Sequence, residues 1–173
     1  EAADADLVEG VSAIEKVDEV TGLSRKIVIE SRAGELKPRI TITDPETGSH
    51  FWYPFSSKAE KSNGGYRVNK KASWTTSGGF ADFYVVQTTS PDFSGYDDLS
   101  VFVIDGDDVE AQPSLWDALG LRGNQSGPIQ VEDIEIPAEQ VVGPLGDGAN
   151  SNDEAVDPWF LIGSSSVWTG IAL

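Results

Sequence analysis

The run Ser57 to Lys70, with Ser62-Asn63-Gly64-Gly65 at its middle, constrains the fold most. Two short segments, 57–61 and 66–70, flank a glycine-containing turn. Asn-Gly supplies the positive φ values that a tight hairpin needs. Strand signals dominate elsewhere as well. Residues 26–30 and 39–43 are short β-branched runs. Residues 81–88 and 100–104 are nearly continuous apolar runs, which suits strands buried on both faces. Residues 129–136 alternate, with their acids facing water, and Pro137 ends the run. The fold class expected from these signals is all-β, a small barrel or sandwich of about seven or eight strands with a C-terminal helical stub.

Loops rich in Gly, Asp, Ser and Pro are expected at 89–98, 105–113 and 144–153. Residues 114–119 read as one helical turn capped by Ser114. The clear helix candidate is the last segment, with Asp157 as its cap and Pro158 at its first position. Its apolar side chains, among them Trp159, Ile162, Val167 and Ile171, have no bundle to pack against. The segment is expected to fray, to fold back on the sheet or to pair with another copy.

A chain of 173 residues with 39% apolar content fits one domain, or one with a short appendage. Without cysteine it has no disulfide, thiolate metal site or cysteine nucleophile. His50 is the single histidine, so no imidazole-based metal site is expected. Asp105-Gly-Asp107-Asp108 lacks the spacing and the final Glu of a calcium loop and reads as a solvated turn. No apolar run approaches the roughly 20 residues that span a bilayer, and the acidic start is neither a signal nor a transit peptide. A cytoplasmic chain with no membrane and no nucleic-acid partner is expected. Charge is uneven: residues 72–173 carry 17 acidic side chains and one basic one, Arg122. Such a surface repels phosphate backbones. Its plainest reading is solubility, in keeping with a salty habitat. The chain contains no Met and is read as less than a complete reading frame.

Residues 66–86, Tyr66-Arg-Val-Asn-Lys-Lys-Ala-Ser-Trp74-Thr75-Thr76-Ser-Gly-Gly79 and the apolar run after it, resemble the flavin-binding segment in the middle β domain of acyl-CoA dehydrogenases. That family writes a strand, Trp-x-Thr/Ser, a glycine turn and a second strand. Four further motifs stand in the family's order: Thr43-Asp-Pro-Glu-Thr-Gly48-Ser49 upstream, and Gly120-Leu-Arg122-Gly123, the run 131–137 ending at Pro137, and Val141-Val-Gly-Pro-Leu-Gly-Asp-Gly148 downstream. The resemblance implies FAD as cofactor, bound by Thr43, Trp74, Thr75 and Thr76. The indole would cover the ring system while hydroxyl and backbone N–H groups donate to its heteroatoms. Ser49 would sit at the acyl-thioester end of the substrate. From the residues alone, Trp74 is more commonly read as a core aromatic, and Thr75, Thr76 and Ser77 as ordinary turn hydroxyls.

The family dehydrogenates acyl-CoA thioesters between the α- and β-carbons, in fatty acid metabolism, with a carboxylate base from a C-terminal helical domain. The implied organisation is a β module at 43–152 and the start of that helical domain at 153–173. No catalytic residue is then assigned within the chain, and it is expected to be inactive alone. Oligomers would form through the helical domain. His50 stands where the family has an acid, Asp44 is shorter than the family's Glu, and residues 50–55 are bulky and aromatic. Residues 5–48, with Asp18-Glu-Val-Thr-Gly22-Leu and Leu36-Lys-Pro38-Arg-Ile-Thr-Ile, resemble instead a β-rich structural segment of the bacterial RNA polymerase β′ subunit. Residues 1–42 then read as an appendage, and the chain as a chimera, natural or designed, joined near Asp44. A structural β module of that kind, or an inactive soluble chimera, is the alternative to the flavin module.

Overall fold

The computed structural model describes residues 38–41, 45–46, 56–95 and 97–173. Strands β2 (Lys58–Ser62) and β3 (Gly65–Ala72) form the expected hairpin, pairing Ser62 with Gly65 around a two-residue turn. Only Gly64 takes positive φ there, at 85°, so Asn63 does not share the left-handed role assigned to Asn-Gly. Gly65 is required for a different reason: a Cβ at this position would meet the Ile136 carbonyl oxygen at 2.0 Å.

Strand β7 (Ile129–Pro137) lies antiparallel to β3 on its other side. The expected alternation fails in the middle of β7. Val68 pairs with Ile134 and Lys70 with Val131, so Glu132 and Asp133 together oppose Asn69. This is a β-bulge, with Asp133 at φ 51°. Asn69 stabilises it through its side chain, accepting from the Asp133 N–H at 3.0 Å and donating to the carboxylate at 3.1 Å. The two-residue β6 (Glu110–Ala111) extends this ribbon beyond β7.

A second ribbon is built on β4 (Phe83–Thr89), which is buried over most of its length, as its apolar run requires. It pairs antiparallel with β5 (Leu99–Asp105) and parallel with β1 (Pro38–Thr41). Strand β8 (Val141–Val142) closes the far side of β5. The two ribbons meet at one residue pair, Lys58 with Thr89. There the Ser57 carbonyl accepts from the Thr89 N–H at 3.0 Å and from its hydroxyl at 3.2 Å. The described strands therefore form one open mixed sheet, β6-β7-β3-β2-β4-β5-β8 with β1 beside β4, and no closed barrel.

Apolar packing holds the ribbons together. Val68, Ile129, Val131 and Ile136 of one share a core with Tyr84, Val86, Phe102 and Ile104 of the other. The Tyr66 and Phe102 rings meet at 5.6 Å. Lys70 is also fully buried, on the same side of β3 as Val68 and Ala72.

The C-terminal helix starts nine residues before its expected cap. Helix α1 (Gly148–Ser151) passes through a π-helical turn (Asn152–Val156) into α2 (Asp157–Ala172). Asp157 is helical (φ −60°, ψ −43°) rather than a cap, and its carboxyl is pushed up by burial and by the adjacent Asp153. Pro158 has no N–H to give and its ring would crowd the preceding turn, so the chain widens just before it. Two tertiary contacts fix the earlier start. Gly148 lies so close to the Leu99 backbone that a Cβ would meet its carbonyl oxygen at 2.8 Å. Asn152, buried, hydrogen-bonds Gln87 on β4. Beyond the π turn, α2 does not fold back on the sheet; Trp159, Ile162, Val167 and Ile171 are all exposed. Among the described residues no helix is long and apolar enough to cross a membrane. Ser114 caps nothing: it lies inside a 3₁₀ turn (Pro113–Leu115) that begins at the proline.

Phe102→Ala is expected to lower the unfolding free energy by about 3–5 kcal/mol, whereas Phe80→Ala, at a side chain 55% exposed, is expected to change it by less than about 0.5 kcal/mol in urea unfolding. A pH effect follows from the 90–98 loop. Burial pushes the Asp98 carboxyl up, but hydrogen bonds from Ser90 and from the Ser94 amide (3.0 Å) and hydroxyl (3.1 Å) outweigh it and hold Asp98 below its ordinary range. Its contribution is thus present above the unfolded value of about 3.9 and disappears as pH falls through the lower folded value. Ser94→Ala should raise the Asp98 midpoint in a carboxyl chemical-shift titration and destabilise the protein near neutrality but not below that range.

Candidate functional site

Strand β3 ends at Ala72 and delivers Trp74, Thr75 and Thr76 to one end of the sheet, where they enter the turn 75–79. Tyr84, itself buried in the core, supports this turn from below. Its hydroxyl accepts from the Gly79 N–H at 2.8 Å and donates to the Ser77 carbonyl at 3.1 Å. The turn needs unusual backbone: Ser77 has φ 55° and Gly79 φ 85°.

A second segment, 124–127, is zipped to the turn by backbone hydrogen bonds. Thr75 N–H donates to Gly127, Ser77 N–H to Asn124 and Gly78 N–H to Gln125, at 3.0–3.2 Å. Gly78 permits the approach, since a Cβ there would meet the Gly127 oxygen at 3.0 Å. The Thr76 hydroxyl lies 3.4 Å from the Ser126 hydroxyl and accepts from the Asn124 amide at 3.4 Å. Asn124 also donates to Ser126.

The three residues predicted to surround a ring system are therefore adjacent in space, but they differ. Trp74 is 57% exposed, which removes its reading as a core aromatic. Thr76 is exposed, and Thr75 is fully buried beneath them. Thr43 and Ser49 lie outside the described residues. Trp74 borders a cleft of about 410 Å³, with Pro45, Lys71, Glu110, Leu115 and Gln130 among its other walls. This size and mixed lining suit a small organic ligand.

Three contributors escaped the sequence reading. Trp116 meets Trp74 edge to face, with ring centroids 5.8 Å apart and planes 74° apart. Asn124 and Ser126 complete the polar cluster around Thr76. The available signal was the position of all three on either side of Gly120-Leu-Arg122-Gly123, a turn that must return the chain to β7. Among the described residues no group of His, Cys, Asp or Glu is placed to hold a metal ion. Asp105 instead accepts from the Asp107 N–H at 3.1 Å, closing a 3₁₀ turn.

The acyl-CoA dehydrogenase middle-domain family matches residues 40–134, a span that contains both segments of this site. The mitochondrial isovaleryl-CoA dehydrogenase of Oryza sativa subsp. japonica is 30% identical over 117 residues, which cover 67% of this chain and 28% of that protein. Glutaryl-CoA dehydrogenase of Desulfococcus multivorans is 27% identical over 128 residues, covering 73% and 33%. Among solved structures, an acyl-CoA dehydrogenase from Geobacillus kaustophilus superposes with a TM-score of 0.59 at 27% identity, over 66% of this chain and 30% of that one. A glutaryl-coenzyme A dehydrogenase in complex with glutaryl-CoA gives a TM-score of 0.58 at 25% identity, over 65% and 28%. The chain thus spans about a third or less of the length of these relatives. The polymerase-like run 5–48 lies almost wholly outside the described residues, and these matches lend it no support. With more than half of its residues matched by the family and the fold shared with its solved members, the chain belongs to the acyl-CoA dehydrogenase middle-domain family.

Proposed function

We propose that residues 43–152 are the flavin-binding module of an FAD-dependent acyl-CoA dehydrogenase. The observation that carries this reading is an indole, Trp74, held largely in solvent at the edge of a cleft, with the Thr76 hydroxyl two residues on. An exposed tryptophan beside an organised set of polar groups suits a flat heteroaromatic ring better than it suits folding. The residues fit the ring system: Trp74 would lie against it and Thr76 would hydrogen-bond it. Thr75 would hold the turn from beneath; by the family resemblance Thr43 would hydrogen-bond the ring and Ser49 would serve the acyl-thioester end of the substrate, and Pro45, near both in sequence, lines the same cleft. For a diphosphate the site offers few cations: Lys71 on the cleft wall, and Arg122, the one cation in residues 72–173, whose Nε donates within its own loop to the Ala118 carbonyl.

When bound, FAD supplies the hydride acceptor for α,β-dehydrogenation of an acyl-CoA thioester. The chain's own residues orient the ring and exclude water from one side of it. They do not supply the base that takes the α-proton: by the family resemblance that carboxylate comes from a helical domain, which residues 153–173 would begin. We therefore propose that residues 1–173 bind flavin without dehydrogenating substrate, and that oligomerisation belongs to the helical domain. The glutaryl-CoA complex of a solved relative supports acyl-CoA thioesters as the substrate class.

Titration of the purified chain with FAD, followed by flavin fluorescence, should give saturable quenching. Trp74→Ala should weaken it about tenfold or more, equivalent to about 1.4 kcal/mol. Absence of any change up to high FAD concentration would falsify the flavin reading. Acyl-CoA thioesters added to the loaded chain should leave the flavin absorption bands unbleached; bleaching would place a competent base within residues 1–173.

A further inference from the structure

We propose that the loop joining β6 to β7 is the second wall of this site, with Trp116 and Asn124 as positioning residues for the Trp74 indole and the Thr76 hydroxyl. The inference rests on the flavin reading above and assigns roles that the motifs did not.

Trp116 is fixed at its far end. Its indole N–H donates to two carbonyls at once, Leu121 at 3.2 Å and Arg122 at 3.1 Å. Arg122 in turn donates to the Ala118 carbonyl at 3.1 Å, which closes the same turn. A ring anchored in this way offers Trp74 a rigid partner in the edge-to-face arrangement that aromatic pairs favour. A half-exposed tryptophan would otherwise sample several rotamers, and ordering it on binding would reduce affinity. Trp116 removes that freedom beforehand.

Asn124 acts on the hydroxyl. Its amide donates to Thr76 Oγ1 while its carbonyl oxygen on the main chain accepts from Ser77 N–H at 3.0 Å. A hydroxyl that accepts from an amide has its own proton free to point elsewhere. Thr76 is thereby set to donate toward a ring heteroatom that accepts. Ser126, 3.4 Å away and receiving the same amide, shares this bias.

The backbone carries an independent mark of the same function. Leu121 and Gln125, neither of them glycine, sit at φ 52° and φ 50° on either side of the 3₁₀ turn Arg122–Asn124. Such residues persist where the surroundings over-determine the backbone, and they cluster at ligand sites. Here Gln125 is held by the hydrogen bonds that tie 124–127 to the turn 75–78, and Leu121 by the Asn124 N–H and the Trp116 indole N–H, which both donate to its carbonyl. One loop therefore sets both the aromatic and the polar half of the cradle.

The test uses the full chain with Trp116→Phe, Trp116→Ala, Asn124→Ala and Trp74→Phe, and Leu119→Ala as a control at an exposed position of the same loop. Each variant is titrated with FAD, and the absorption spectrum of the bound flavin is recorded. The far-ultraviolet exciton couplet of the tryptophan pair is measured without ligand. Trp116→Ala should weaken FAD about tenfold, with Trp116→Phe recovering most of the loss. Asn124→Ala should weaken it by roughly three- to tenfold and shift the bound flavin spectrum, which a purely structural role would leave unchanged. Leu119→Ala should match the wild type. The couplet should vanish in both Trp116→Phe and Trp74→Phe. Unaltered affinity and spectrum in Trp116→Ala and Asn124→Ala, with FAD binding intact in the wild type, overturn this inference alone. No FAD uptake by the wild type overturns the flavin reading and this inference with it. A folded wild type without the couplet overturns the role given to Trp116.

Discussion

Everything in this fold depends on apolar contact between two ribbons that backbone hydrogen bonds barely connect. One residue pair, Lys58 with Thr89, carries the sheet from β2 to β4. The rest of the junction is side-chain packing centred on Phe102, Tyr84, Val68 and Val131. The site is mounted on the same packing. Tyr84 presents its ring to the core and its hydroxyl to the turn that follows Trp74, so the shape of the core reaches the cradle through one phenol. Burying such a polar group is tolerable because both hydrogen-bonding roles of its oxygen are used.

Electrostatics divides the labour differently. The cradle lies at the boundary between a charge-balanced N-terminal part and an acidic C-terminal one. Hydrogen bonds from neutral groups and aromatic surfaces operate there regardless of net charge, whereas a diphosphate would need cations. The flavin proposed for this site would thus be held chiefly by its uncharged ring system, with Lys71 the cation on the cleft wall. Exposed pairs such as Arg67 with Glu135, 2.8 Å apart, add little to stability and mainly mark the register between β3 and β7.

The strands were legible because their signals are local. The 57–70 hairpin and the apolar runs that became β4 and β5 require nothing beyond their own neighbours to be recognised. The bulge at Asp133 was hidden because it needs Asn69, on another strand, to be stable. The helix start was misplaced because Asp157-Pro158 imitates an N-terminus, while the actual start is set by Gly148 against Leu99 and Asn152 against Gln87, contacts that exist only after folding. At the site, Trp74 and Thr76 carry a recognisable spacing. Trp116 carries none, since its meaning lies in a ring contact between two distant loops. Lys70 is a further case: alternation along β3 turns it inward, against the usual preference of its side chain.

The pairing of β3 with β7 has a consequence for how the molecule assembles. The hairpin β2–β3 and the β4–β5 pair join neighbouring stretches of chain, and such local contacts close quickly. By contrast, Arg67 and Glu135, paired across β3 and β7, are 68 residues apart. The loop entropy of that long closure is overcome only once enough core has formed to reward it. The hydrogen bonds between the turn 75–78 and residues 124–127 lie at the end of the same ladder where the intervening loop is shortest, so the cradle closes with this pairing and not before it. A chain folded only as far as the β2–β3 and β4–β5 pairs would hold two separate ribbons and none of the site.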